Sequence, residues 1–223
     1  MSSNSSLWSD AIYRLTRNKA AMFGAFILIV LTLCAALAPY IAPYSYSFQD
    51  LNLGASPPSA DHILGTDVLG RDLLSRILYG AQIALLVALI ASTATCVIGA
   101  TLGVLAGYFG GWVDLVISRL VDIWMAFPPV LFAILLIAVL GTGLTSIIIA
   151  IIVIDWTRFC RVIRAETMSQ SAMDYVASAQ AAGRARFGIM IKEIVPNVLP
   201  TIVVLLTLEM GIAVIVEAIL SFV

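Results

Sequence analysis

The sequence predicts an all-α integral membrane protein, and three observations predict it. Of its 223 residues, 61% are hydrophobic. Only 11% are Asp, Glu, Lys or Arg, against roughly 25% in soluble domains, which is too little charge to cover a water-soluble core of this size. The third is order: the apolar residues gather into runs of membrane-crossing length, and the basic residues gather beside them. The formal net charge of −1 gives no general attraction to nucleic acid.

The first 19 residues are polar, with Arg14, Arg17 and Lys19 close together. Leu7, Trp8, Ile12 and Leu15 fall at helical spacing, so residues 1–19 form an N-terminal amphipathic segment at the membrane surface. The run that follows continues into Pro39, Tyr40 and Pro43 without a small-residue cleavage site, so the leader is read as a retained anchor.

Residues 20–223 then form one transmembrane domain. A first span covers Ala20 to Ala38. A loop over about residues 39–76 follows, rich in proline and polar residues and long enough to be functional. The second span covers about Tyr79 to Leu105, and a turn built on Gly107, Gly110 and Gly111 follows it. A third runs from near Leu115 to about Leu140, kinked at Pro128 and Pro129. The fourth, Leu144 to about Ile163, ends in Arg158, Arg161 and Arg164. A polar segment over about residues 165–197 leads to a fifth span starting near Pro200 and still apolar at Val223.

Orientation follows from the basic residues. With the N-terminus in the cytoplasm, Arg14, Arg17, Lys19, Arg119, Arg158, Arg161, Arg164, Arg184, Arg186 and Lys192 lie on the cytoplasmic side, and only Arg71 and Arg76 lie opposite.

Enzyme chemistry has little to rest on. Cys34, Cys96 and Cys160 are far apart in apolar stretches, and His62 is the only histidine. Neither a metal-ligand cluster nor a His-based catalytic dyad can be assembled, and the phosphate-loop and G-x-S-x-G patterns are absent. The expectation is therefore no catalytic residues, no metal ligands and no cofactor bound by this chain.

The candidates that remain are ionisable groups in apolar segments. Glu209 either lines a pathway or makes an interhelical hydrogen bond. Glu217, two turns on, is a second pathway candidate, with a structural role favoured. Asp155 and Arg158 share a helix face and are expected to form an internal ion pair. The triplet Arg158, Arg161 and Arg164 is expected to anchor its span at the membrane surface. The stretch Asp174 to Gly183 reads as a short helix, begun at Asp174, filled with alanine and ended by Gly183.

Together these residues resemble the inner-membrane permease subunits of binding-protein-dependent ABC importers, in the dipeptide, oligopeptide and nickel branch, and its second ("C") permease in particular. Leu64-Gly-Thr-Asp-Val-Leu-Gly-Arg-Asp-Leu-Leu-Ser-Arg-Ile-Leu-Tyr-Gly80 matches that branch's outer-loop signature, which contains Gly65, Thr66, Asp67, Gly70, Arg71, Asp72, Ser75 and Arg76. Ala106-Gly-Tyr-Phe-Gly-Gly-Trp-Val-Asp114, then Arg119, Asp122 and Pro128, matches the next block. Asp174, Tyr175, Val176, Ala179, Gly183, Pro196 and Asn197 match the cytoplasmic signature.

The resemblance implies a type I (MetI-like) permease bundle with six spans, five of them present here, so that the chain is expected to lack its last span. It implies that residues 165–197 are a coupling loop docking onto an ATP-binding subunit, with Asp174, Tyr175, Val176, Ala179, Gly183, Pro196 and Asn197 as the docking residues. ATP and magnesium would bind on that partner. A second permease, two cytoplasmic ATPases and an extracytoplasmic binding protein complete the implied assembly, in a bacterial inner membrane. The implied cargo is a di- or oligopeptide, with nickel or a metal chelate as the alternative within the family. A stand-alone channel or secondary transporter is the alternative of another class. The sequence departs from the family at two points. Ala177-Ser178-Ala179 stands where E-A-A is usual, and Gln82 stands where relatives often carry Arg.

Overall fold

The computed structural model describes residues 13 and 15–221. The sequence expectations for residues 1–12 and 14, including most of the amphipathic segment, lie outside them. The chain divides into two compact units, residues 1–85 and 86–223.

In the first unit, α1 (Lys19–Ala36) starts where Asn18 accepts a hydrogen bond from the Ala21 amide at 3.2 Å. Phe23, Phe26 and Leu28 along it stay exposed, as a helix solvated by lipid requires. A single turn, α2 (Ala38–Ile41), carries Pro39 at its start, where a missing N–H costs nothing. The loop that follows is ordered and leads to α3 (Leu73–Phe109), a 37-residue helix whose later turns belong to the second unit.

The second unit continues with α4 (Gly111–Met125), α5 (Pro129–Leu140), α6 (Leu144–Ser171), α7 (Asp174–Ala181) and α8 (Arg186–Ile189). A π-helical turn (Met190–Ile194) joins α8 to α9 (Val195–Leu220). Three departures from the sequence reading stand out. Gly107 lies inside α3 rather than in the turn after it; Gly110 and Gly111 alone make that turn. The expected kink at Pro128 and Pro129 is an 85° break that separates α4 from α5. Pro128 takes an extended conformation (ψ 122°), and Pro129 starts a new helix. The last helix also begins well before Pro200, because Arg186–Leu220 runs as one helical rod with Pro200 inside it. Proline at 196 cannot donate to the preceding turn, and the rod widens there: the Val195 amide reaches back five residues to the Met190 carbonyl.

Among the described residues, three helices are long and apolar enough to cross a membrane (Lys19–Ala36, Leu73–Phe109 and Arg186–Leu220), or four if the bent α4–α5 pair counts as one span. The expected fourth span, α6, falls outside this set because Asp155, Arg158 and Arg161 interrupt its apolar run. It is a 28-residue helix nonetheless, longer than the expected stretch ending at Ile163.

What seats α3 on α6 is a face of Gly99, Gly103 and Gly107, four residues apart. A methyl group on Gly103 would lie 2.7 Å from the Cys160 carbonyl oxygen, and one on Gly107 would lie 2.6 Å from that of Arg164. The two backbones touch, and only glycine leaves room. Below this seam Cys96, Ala100, Val104 and Tyr108 of α3 pack with Phe159 and Ile163 of α6 and with the α7–α9 region.

Candidate functional site

Three constellations carry the residues singled out in the sequence. The first is the lobe formed by residues 42–76. Asp72 precedes α3, and its carboxylate accepts from the Ser75 amide at 2.8 Å and from the Ser75 hydroxyl at 2.7 Å, which caps the helix. His62 Nδ1 donates to the other Asp72 oxygen at 3.0 Å, and the His62 ring stacks on Tyr44 with centroids 4.8 Å apart. Ser75 Oγ in turn accepts from the Tyr44 amide at 3.1 Å. Ser, His and Asp meet here, but Ser75 donates to Asp72 rather than to His62, so these three form no nucleophile–base pair.

Asp67 holds Arg71 twice, at the backbone amide (3.0 Å) and at Nε (2.7 Å). Thr66 Oγ1 accepts from the Ser56 amide and donates to the Gly54 carbonyl. Gly70 has φ 68°, and a side chain there would strike the Asp50 carbonyl. Arg76 lies over the Tyr46 ring at 5.1 Å. The signature Gly65–Arg76 is therefore a self-bonded turn that fixes the start of α3.

Burial works to raise the Asp72 carboxyl, but the Ser75 amide and hydroxyl and His62 outweigh it and hold the group below its ordinary value of 3.8. A depressed folded value means that the stabilisation is fully present above the unfolded value and is lost as pH falls through the folded one. The lobe is therefore expected to loosen only below about pH 4, read as accelerated hydrogen exchange at Thr66–Ser75. Asp72→Ala should loosen it at neutral pH by about 2 kcal/mol, whereas Asp72→Asn, which still caps, should recover about half of that.

The second constellation is α7. Its C-terminus closes as a Schellman turn: Gly183 (φ 74°) donates to Gln180 and Arg184 donates to Ala179. The start is less as expected. Asp174 sits in the first turn, and Met173 occupies the cap position without a side-chain bond. Val176 (0% exposed) and Ala179 (8%) face inward onto Ile189, Met190, Ile194 and Val198. The exposed face is Asp174, Ala177, Ser178 and Ala181. Tyr175 donates to Gln170 at 2.9 Å and lies beside Asn197 and Glu193. Its burial first, and the Glu193 carboxylate second, raise its hydroxyl above the ordinary tyrosine value. Asn197 donates to the Glu193 carbonyl at 2.7 Å, across the widened turn, and Pro196 and Asn197 are both exposed. Arg184 pairs with Glu193, and Arg186 covers the Phe109 ring at 5.7 Å. The helix is thus bolted to the end of α3 and the start of the α9 rod.

The third constellation lies along α6. Its arginines each meet an acid on another helix: Arg158 reaches Glu209 of α9 at 3.5 Å, Arg161 reaches Asp122 of α4 at 3.6 Å, and Arg164 grips Asp114 of α4 through two nitrogens, one at 2.6 Å. This corrects two expectations. Arg158 pairs with Glu209 rather than with Asp155, and the triplet ties helices together rather than only anchoring one. Glu209 is 2% exposed, and its Oε1 has no partner among the described residues. Its carboxyl and that of Asp155 are neighbours. Glu217 is half-buried and makes no ion pair among the described residues.

Sequence reasoning missed the glycine face, whose four-residue spacing was visible, and the Asp114–Arg164 bond, for which one chain offers no signal. Ala179, expected as a docking residue, is instead a packing residue.

A helical unit with charged pairs between apolar helices, and a small helix bolted to their ends, fits a multi-pass membrane component. The chain belongs to the family of binding-protein-dependent transport system inner membrane components, whose model matches residues 99–223. A second model, the N-terminal TM domain of oligopeptide transport permease C, matches residues 6–58. The chain is 38% identical over 215 residues to a dipeptide transport system permease protein of Alkalihalophilus pseudofirmus, covering 96% of this chain and 71% of that one. It is 38% identical over 217 residues to an oligopeptide transport system permease protein of Bacillus subtilis, covering 97% and 71%. A glutathione transport system permease protein of Pectobacterium atrosepticum is 34% identical over 219 residues, covering 96% and 72%. The chain is therefore a multi-pass permease component of an importer.

Proposed function

We propose that the chain is the transmembrane permease subunit of an ATP-driven importer of di- and oligopeptides. Its partners would be a second permease, two cytoplasmic ATPases and an extracytoplasmic binding protein. In this reading the N-terminus and the 165–197 segment lie in the cytoplasm, which the placement of the basic residues supports. In this reading α6 is a span whose arginines are neutralised by Asp114, Asp122 and Glu209, which lowers the cost of carrying them across.

One observation carries the mechanism. The α7 helix is buried on its Val176–Ala179 side, exposed on its small-residue side and joined to the ends of α3 and α9. An ATPase groove seated on Ala177, Ser178 and Ala181 would approach the α7 backbone closely and push on the spans as one body. The absent E-A-A glutamate is consistent with a contact made by shape.

Ala181→Arg is expected to abolish co-purification of the ATPase while membrane insertion is unchanged. Ala179→Arg should instead disturb the packing under α7 and reduce the permease itself. Normal ATPase recovery with Ala181→Arg counts against the docking face.

A further inference from the structure

The 85° break between α4 and α5 leaves a recess of about 70 Å³ lined by Trp124, Phe127, Phe132, Asp155, Thr157 and Arg158. Its walls are aromatic and fixed. Trp124 meets Phe132 edge-on with centroids 5.9 Å apart, Phe127 stacks on Phe132 at 5.6 Å, and Trp124 Nε1 is held by the Val153 carbonyl at 2.5 Å.

Asp155 is 8% exposed and makes no ion pair among the described residues, because Arg158 is committed to Glu209. Its carboxyl neighbours that of Glu209, and the Arg158 guanidinium lines the same recess. A carboxylate beside aromatic faces is the chemistry that receives an ammonium ion. The volume admits an ammonium group and its first carbon, not a whole peptide.

We propose that this recess receives the free ammonium end of the translocated solute, with Asp155 as the charge partner and Trp124 and Phe127 as the cation–π walls. The ammonium is the one charge that a peptide with a free N-terminus always carries. The proposal names a contact inside the permease and rests on the peptide-import reading above.

The test uses the assembled permease–ATPase complex in nanodiscs, without binding protein, titrated with n-butylammonium and followed by tryptophan fluorescence. A saturable response is expected, and butanol should give none. Phe127→Leu, at an exposed position, should weaken the response about tenfold, and Asp155→Asn should abolish it, with partial recovery in Asp155→Glu. In proteoliposomes supplied with peptide-loaded binding protein, Asp155→Asn should lower the maximal uptake rate of dialanine and leave its half-saturation unchanged. A response to butylammonium that survives both Asp155→Asn and Phe127→Leu, or no response from the wild-type complex, overturns the proposal. Failure of the wild-type complex to take up any peptide would instead remove the import reading, and the titration would still decide the ammonium site.

Discussion

Gly103→Leu is expected to leave the permease unfolded or degraded, with little or none recovered from the membrane. A side chain at residue 103 begins 2.7 Å from the Cys160 carbonyl, 3.0 Å from the Arg164 amide and 3.0 Å from the Ile163 Cβ, all atoms of a packed helix that cannot yield singly. Overpacking in a core costs about 1–3 kcal/mol where side chains can shift. Here backbone opposes backbone, and α3 must lift from α6 along the whole seam. Gly103→Ala should show the same defect in weaker form. The comparison is Gly80→Leu, on the same helix with nothing within 4 Å of the added atom, which should be recovered at wild-type levels. Equal recovery of Gly103→Leu and wild type would show that α3 and α6 are not in contact.

The second large effect is expected at Arg158. Arg158→Ala removes the one cation paired with Glu209, a carboxylate buried to 2% exposure. Breaking a fully buried pair costs about 3–5 kcal/mol. The Arg158 side chain is 51% exposed and the pair is long at 3.5 Å, so about 2–3 kcal/mol is the expected loss. The pairing makes a sharper claim through the double variant. Arg158→Ala with Glu209→Gln removes both charges and should be more stable than Arg158→Ala alone, by about half that loss. Thermal unfolding of the purified complex measures all three. Additive effects of the two substitutions would mean that Arg158 and Glu209 do not interact.

These two cases mark where sequence reading succeeds and where it stops. The membrane class, the apolar helices Lys19–Ala36 and Leu73–Phe109 and the short Asp174–Ala181 helix follow from runs and local punctuation, which act within a few residues along the chain. Gly183 is legible for the same reason: a left-handed turn after an alanine-rich helix needs glycine. The partner of Arg158 is not legible, because the choice between Asp155, three residues away, and Glu209, on another helix, is made by packing. The same holds for Ala179, which looks like a docking residue by position and is a core residue by burial. The Pro128–Pro129 pair announces a bend, but not that α5 would leave α4 at 85° and open a recess beside Asp155. The function was legible because it is written in contiguous signatures. Their physical roles, a cap at Asp72 and a bolted helix at α7, appear only in three dimensions.

The proposed role of this chain is to form the path of an ATP-driven peptide importer. It is tested most directly by reconstituting the permease with its partner permease and ATPases in liposomes, adding dialanine-loaded binding protein, and measuring dialanine accumulation with and without ATP. Dialanine should be concentrated against its gradient only when ATP and binding protein are both present. Downhill flux independent of ATP, or accumulation of nickel but not of dialanine, would contradict it.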